Sequence, residues 1–168
     1  EALQAVGMTE DEYKSNIKTS LLQQGLMKSF EGDDPSDEDV LSYAQTYISS
    51  FDGAKRSSHI LFDADDTETA QSVLDQINAG TLDFAEAAKT YSKDSSAQNG
   101  GDVGWDKLNS FVSEYTAGLA DLSKGQVSGL VTSSYGIHII KCTDEFHAPD
   151  ELTSLDQLPS EFVEQFKS

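Results

Sequence analysis

The chain has 168 residues, with 30 acidic against 11 basic side chains, a net charge of −19 and a single cysteine, Cys142. Nucleic-acid backbones and anionic membrane surfaces are held by clustered Lys and Arg, and this sequence has no such cluster and one arginine, Arg56. No stretch approaches the roughly 18 apolar residues that span a bilayer, and one thiol excludes an internal disulfide or a zinc cage of several thiolates.

An apolar content of 37%, with aromatic and aliphatic residues recurring throughout, is that of a folded, rather polar chain. With Glu1 at its start, no Met and no signal-like stretch, the sequence is expected to be a mature fragment or a piece cut for expression.

Residues 9–30 read as an amphipathic helix. Thr9 and Glu12 have capping-box spacing, and Tyr13, Ile17, Leu21, Leu22, Leu26 and Met27 recur at helical intervals. Glu31-Gly32-Asp33-Asp34-Pro35 breaks the pattern. Ser36 can cap a second helix whose acidic first turn, Asp37-Glu38-Asp39, suits the helix dipole. Val40, Leu41, Tyr43, Ala44, Tyr47, Ile48 and Phe51 form its apolar side.

From Lys55 the pattern changes. Ser57 to Phe62 is a short strand, Asp63 to Asp66 an acidic turn, and a helix through Val73, Leu74 and Ile77 ends with Gly80 at C′. The next helix carries Phe84, Ala87, Ala88 and Tyr91. Ser92 to Gly101 reads as a polar loop, and Gly101 to Trp105 as a tight strand punctuated by glycine. A helix over 112–122 precedes two strands, Val127–Val131 and Ile137–Cys142, around a Ser134-Tyr135-Gly136 turn. Beyond Pro149 and Pro159 a short amphipathic helix carries Phe162, Val163 and Phe166. The pattern predicts one α+β domain over residues 53–145. It lies between an N-terminal helical region, 1–52, and a C-terminal tail and helix, 146–168, which are expected to pack with each other.

Two histidines sit in apolar strand-like runs, His59 before Ile60-Leu61-Phe62 and His138 between Ile137 and Ile139-Ile140. Alone, each would be an ordinary core histidine satisfied by one hydrogen bond. Asp94 and Ser133 stand near loop or strand ends.

The glycine spacing adds to this. The run Tyr91-Ser92-Lys93-Asp94-Ser95-Ser96-Ala97-Gln98-Asn99-Gly100-Gly101-Asp102-Val103-Gly104-Trp105 resembles the central signature of the parvulin family of peptidyl-prolyl cis-trans isomerases. Three further segments match in order: Ser57-Ser58-His59-Ile60-Leu61, Leu122-Ser123-Lys124-Gly125-Gln126-Val127-Ser128, and Tyr135-Gly136-Ile137-His138-Ile139-Ile140-Lys141. These four anchors cover residues 55–145.

The resemblance implies a parvulin-like α+β domain: a small antiparallel sheet of about four strands with surrounding helices. It implies non-covalent rotation of Xaa-Pro bonds, without metal or cofactor. His59 and His138 match the paired histidines at the floor of the parvulin site. Asp94 matches a position held by Asp or Cys, and Ser133 the nearby hydroxyl. Val103, Phe111 and Tyr115 fall where the family places the pocket for the proline ring. Three positions depart from the family pattern. Asp106 stands where many relatives carry an aromatic residue, and Asn109 and Ser113 replace a glycine and a proline around Phe111.

Phospho-specific parvulins carry a basic loop after the first strand. Here the segment is Asp63-Ala64-Asp65-Asp66-Thr67-Glu68, whose four carboxylates would repel a phosphate dianion, so unphosphorylated substrates are expected. His59, Asp94 and His138 are metal-capable residue types, but their spacing matches no metal motif. Cys142 is expected to be a half-buried structural thiol and His147 a solvated loop residue. The acids Glu31, Asp33, Asp34, Asp37, Glu38 and Asp39 lack the ordered ligand spacing of an EF-hand.

The helical flanks resemble those of the PrsA-like and SurA-like extracytoplasmic foldases. That implies unfolded or partly folded proteins and proline-containing peptides as partners, outside the cytoplasm of a bacterium, with a lipid anchor carried by a segment ahead of Glu1. The amphipathic flanks also allow two copies to exchange helices into a homodimer. The alternative is a holdase chaperone or peptide-binding module that keeps the fold with little turnover.

Overall fold

The structure is a computed structural model that describes residues 35–167. The helix expected over residues 9–30 and the acids Glu31, Asp33 and Asp34 lie outside the described residues. Two compact units divide the chain, one of them Tyr47–Asp150 and the other taking the segments up to Thr46 and from Glu151.

Helix α1 (Asp37–Tyr47) starts as its sequence dictates. The Ser36 hydroxyl accepts the Asp39 amide N–H at 3.2 Å and donates to the Asp39 carboxylate at 2.6 Å. Val40 and Ala44 are buried, but Tyr43 and Tyr47 are 52% and 47% exposed. The expected apolar side is therefore narrower than the residue types suggest, because a tyrosine can rest its ring on apolar surface and leave its hydroxyl in water.

A one-turn 3-10 helix (Ile48–Phe51) leads into the larger unit. The elements then follow as β1 (Lys55–Phe62), α2 (Thr67–Asn78), α3 (Phe84–Tyr91), β2 (Asp102–Asp106), α4 (Ser113–Ala120), β3 (Val127–Ser133) and β4 (Gly136–Glu145). The four strands form one sheet in the order β2-β1-β4-β3, with every neighbouring pair antiparallel.

Alternation along the strands sends residues to two faces. On one face Ile60 and Phe62 of β1 with Ile137 and Ile139 of β4 pack against Ala70, Val73 and Leu74 of α2 and Phe84, Ala87 and Ala88 of α3. On the other, Ile140 and Cys142 of β4 pack with Tyr115 and Leu119 of α4. Cys142 differs from expectation. It lies inside β4, fully buried, with its thiol directed to the Asp144 carbonyl at 3.4 Å, and burial raises its pKa.

Polar contacts fix the helix ends. The Asp83 carboxylate caps α3 by accepting the Ala85 and Glu86 amides, and Gly80 follows α2 with φ of 71°, as its C′ position requires. Lys55 serves the C-terminus of α4. Its ammonium donates to the carbonyls of Ala120 and Leu122 and pairs with Glu145 at 3.2 Å.

The tail belongs to the smaller unit. A capping box between Ser154 and Gln157 shapes a 3-10 turn ahead of α5 (Ser160–Lys167). Phe166 meets Tyr43 edge-on with ring centroids 5.8 Å apart, and the Gln45 side-chain amide donates to the Leu152 carbonyl at 2.8 Å.

Candidate active site

Strands β1 and β4 place the histidines. His59 lies opposite Ile140 and His138 opposite Leu61, so the two are diagonal neighbours on one face of the sheet. Their rings stack 5.3 Å apart at 17°, and their Nδ1 atoms are 3.1 Å apart. Both residues are buried.

Asp94 reaches His59 from the loop after α3. Its Oδ2 lies 3.3 Å from His59 Nε2 and also accepts the amide N–H and hydroxyl of Ser96 at 2.9 and 2.5 Å. The supposed loop here contains a 3-10 turn, Ser95–Asn99, that Asp94 itself caps. Gly101 closes the approach. The His59 amide donates to its carbonyl at 2.9 Å, and a Cβ on Gly101 would lie 2.2 Å from the His59 carbonyl oxygen. At the other end of the pair, Ser133 Oγ is 2.7 Å from His138 Nε2 and accepts the Tyr135 amide at 3.1 Å.

Charge and chemistry fix the order of protons. Burial pushes the Asp94 carboxyl up, but the Ser96 hydroxyl and amide together with His59 outweigh it and hold Asp94 below the usual carboxylate range. Burial lowers the pKa of His59 despite the opposing pull of Asp94, and burial followed by repulsion from His59 takes His138 down to about 4. Near neutral pH both rings are thus uncharged and Asp94 is an anion. An ionised carboxylate only accepts, so His59 carries its proton on Nε2 and its Nδ1 is an acceptor. His138 must then donate from Nδ1, which leaves Nε2 to accept from Ser133. The result is a one-way chain: Ser133 O–H to His138, His138 N–H to His59, His59 N–H to Asp94.

Tyr115 of α4 forms the wall beside this chain. Its ring meets His59 and His138 edge-on, with centroids 5.5 and 5.6 Å away, and lies 4.7 Å from Phe111. Burial pushes the Tyr115 hydroxyl pKa up to about 12 against the opposing pull of Ser57, whose Oγ is 3.0 Å from the Tyr115 oxygen. Val103, Leu108, Phe111, Val112, Leu122 and Val131 pack against the cluster that Tyr115 leads.

All seven residues singled out in the sequence therefore gather on one face of the sheet. Three neighbours were not foreseen. Ser57, fully buried, lies two residues before His59 on the same strand face, a spacing that period-2 reading could have used. Ser96 lies two residues after Asp94, the spacing of a side-chain cap. Leu108 gave no sequence signal, because its position depends on a left-handed backbone, φ 61°. Among the described residues, no group of three or more His, Cys, Asp and Glu could hold a metal ion.

The Rotamase family, PPIC-type PPIase domain, matches residues 59–144. The chain belongs to the PPIC-type peptidyl-prolyl isomerase family. It is 35% identical over 157 residues to the foldase protein PrsA of Bacillus subtilis, covering 93% of this chain and 50% of that protein. A chaperone SurA, from Albidiferax ferrireducens, is 35% identical over 100 residues, or 55% of this chain and 22% of the relative. The crystal structure of PrsA from Bacillus subtilis superposes with a TM-score of 0.58 at 31% identity, over 94% of this chain and 56% of that one. The chain thus spans about half, or less, of the length of these relatives.

Proposed function

We propose that this chain is a parvulin-type peptidyl-prolyl cis-trans isomerase of the foldase kind, rotating unphosphorylated Xaa-Pro bonds in unfolded or partly folded proteins. The observation that carries the reading is the one-way chain that runs from Ser133 through two neutral histidines to the Asp94 anion, set beside the apolar wall of Val103, Phe111 and Tyr115.

Imide resonance sets a rotation barrier of about 18–20 kcal/mol, and uncatalysed isomerisation takes tens to hundreds of seconds. No bond needs to break. A thousandfold acceleration asks for about 4 kcal/mol of preference for the twisted imide over the planar forms. Two terms supply it. The apolar wall holds the proline ring and strips water from the polar planar amide, and the fixed dipoles of the histidine chain meet the altered charge distribution of the twisted state. His59, His138, Asp94 and Ser133 have the second task and Val103, Phe111 and Tyr115 the first.

The Asp63–Glu68 segment carries four carboxylates and no basic side chain of its own. The ion pair of Asp63 with Lys93 at 3.4 Å is exposed and supplies no arginine fork for phosphate. The kinship with PrsA and SurA supports an extracytoplasmic location in a bacterium. We infer in addition a lipid anchor on a preceding segment and helical flanks that cradle clients, in one copy or in a homodimer that exchanges them. No helix among the described residues is long and apolar enough to cross a membrane.

The deciding experiment is NMR exchange spectroscopy of unphosphorylated Xaa-Pro peptides with and without the protein. Acceleration that disappears in Asp94→Ala supports the assignment. A folded protein that accelerates no peptide would refute it in favour of a holdase.

A further inference from the structure

Asp106, at the end of β2, is a carboxylate with only 6% of its surface exposed. Its two oxygens accept backbone amides from the loop that follows: Oδ2 takes Asn109 N–H at 3.0 Å and Oδ1 takes Ser110 N–H at 3.2 Å. Between Asp106 and these two amides lies Leu108, the one non-glycine residue with positive φ among the described residues. A branched L residue holds that conformation only when its surroundings impose it. The turn so formed packs Leu108 and, immediately afterwards, Phe111 onto the cluster led by Tyr115.

An aromatic side chain, which the parvulin resemblance implies here, could accept neither amide. Asp106 fastens the Lys107–Val112 loop from inside. We propose that Asp106 is a positioning residue for substrate binding, holding Leu108 and Phe111 as one wall of the proline pocket, and that Leu108 is a further contact for the proline ring. This rests on the isomerase reading above and deepens it. Asp106 touches no reacting atom, and its effect passes through the loop.

The loop defines the pocket but contributes nothing to the Ser133–His138–His59–Asp94 chain. Loosening it should weaken the grip on the proline ring in planar and twisted peptides alike. Val103 on β2 and Tyr115, held by Ser57, stay in place to keep water from the imide, so KM should rise while kcat holds. The test uses the full chain and an unphosphorylated Ala-Pro tetrapeptide, with exchange rates measured by NMR across peptide concentration. Amide hydrogen exchange at Asn109 and Ser110 is followed alongside.

Asp106→Ala is expected to raise KM about tenfold, the scale set by losing the hydrogen bonds that hold the loop, with kcat within about twofold of the parent. Both amides should exchange faster. Asp106→Asn, which keeps one acceptor oxygen, should fall between. Leu108→Gly keeps the backbone conformation at no steric cost, guarding against a misfolded Asp106→Ala, and should also raise KM. Unmoved KM in folded Asp106→Ala or in Leu108→Gly, or a fall in kcat at constant KM, would overturn the proposal while leaving the isomerase intact. A parent protein that accelerates no peptide would overturn the isomerase reading and this proposal with it.

Discussion

Tyr115→Phe and Ser57→Ala test the buried wall most directly. The two hydroxyls lie 3.0 Å apart, Ser57 fully buried and Tyr115 3% exposed, so water cannot replace either partner. Each single substitution leaves one buried hydroxyl without the other. The cost is about 1–3 kcal/mol apiece, the desolvation penalty of an unsatisfied group. Removing both leaves neither group orphaned, so the double variant should be little worse than one single. The cycle should therefore show a coupling of about 1–2 kcal/mol. In a domain of about 100 residues each kcal/mol appears as roughly 4–8 °C in Tm. Urea unfolding of the four proteins, followed by tyrosine fluorescence and circular dichroism, measures the cycle. Because Tyr115→Phe keeps the ring against both histidines, exchange of an Xaa-Pro peptide should continue in it and fail in Tyr115→Ala. If the double variant loses the simple sum of the singles, the hydroxyls are not a pair and the account of this wall is wrong.

The remaining predictions concern charge and close packing. His138 is held at about 4, below its ordinary 6.5, so the unfolded chain takes up the proton more readily than the folded one. Its contribution to stability is complete above pH 6.5 and is lost as pH falls through about 4. An NMR titration of the His138 ring with a midpoint above 6 would contradict this. Gly101→Ala would set a Cβ 2.2 Å from the His59 carbonyl oxygen at a φ of 81°, so it should cost about 2–5 kcal/mol and disturb the His59 ring signals. An unaltered melting curve would show that the strands can part there. Lys55→Met releases the Ala120 and Leu122 carbonyls and Glu145, and should lower unfolding free energy by about 1–3 kcal/mol. A loss confined to low salt would mean the ion pair, not the helix cap, carried the effect. In Asp94→Asn the amide can donate or accept, so His59 is no longer compelled to carry its proton on Nε2. Nitrogen chemical shifts of both rings should report mixed tautomers and the exchange rate should fall about 10–100-fold; unchanged shifts would remove Asp94 as the group that sets the order.

Much of this was legible because the pattern is local. Alternation in β1 and β4 put His59 and His138 among apolar residues, and the glycines around Asp102 marked a tight strand between two turns. Ser36 as a cap and Gly80 at C′ needed only short-range rules. What could not be read depended on contacts between distant segments. Cys142 looked like the last residue of a short strand, yet β4 continues to Glu145 and α4 covers the thiol. Asp106 looked like a simple departure from an aromatic residue, since nothing in the sequence says that its carboxylate turns back onto the amides of Asn109 and Ser110. The apolar side of α1 was drawn too wide because residue type does not say whether a tyrosine ring is covered.

The electrostatics of the site run against the charge of the chain. At −19, the surrounding negative potential should favour protonated histidines, and Asp94 acts in that direction on both. Burial is the larger influence on each ring, and it wins. The polar floor is therefore built from dipoles in a fixed order, with one anion at its far end. Such a floor can sense the redistribution of charge within a twisting imide but offers nothing to a phosphate. The nearest candidate for that task, the Asp63–Glu68 segment, adds repulsion. On the isomerase proposed above, an unphosphorylated Xaa-Pro bond matches both: the apolar wall would hold the ring, and the histidine chain would respond only as the bond turns.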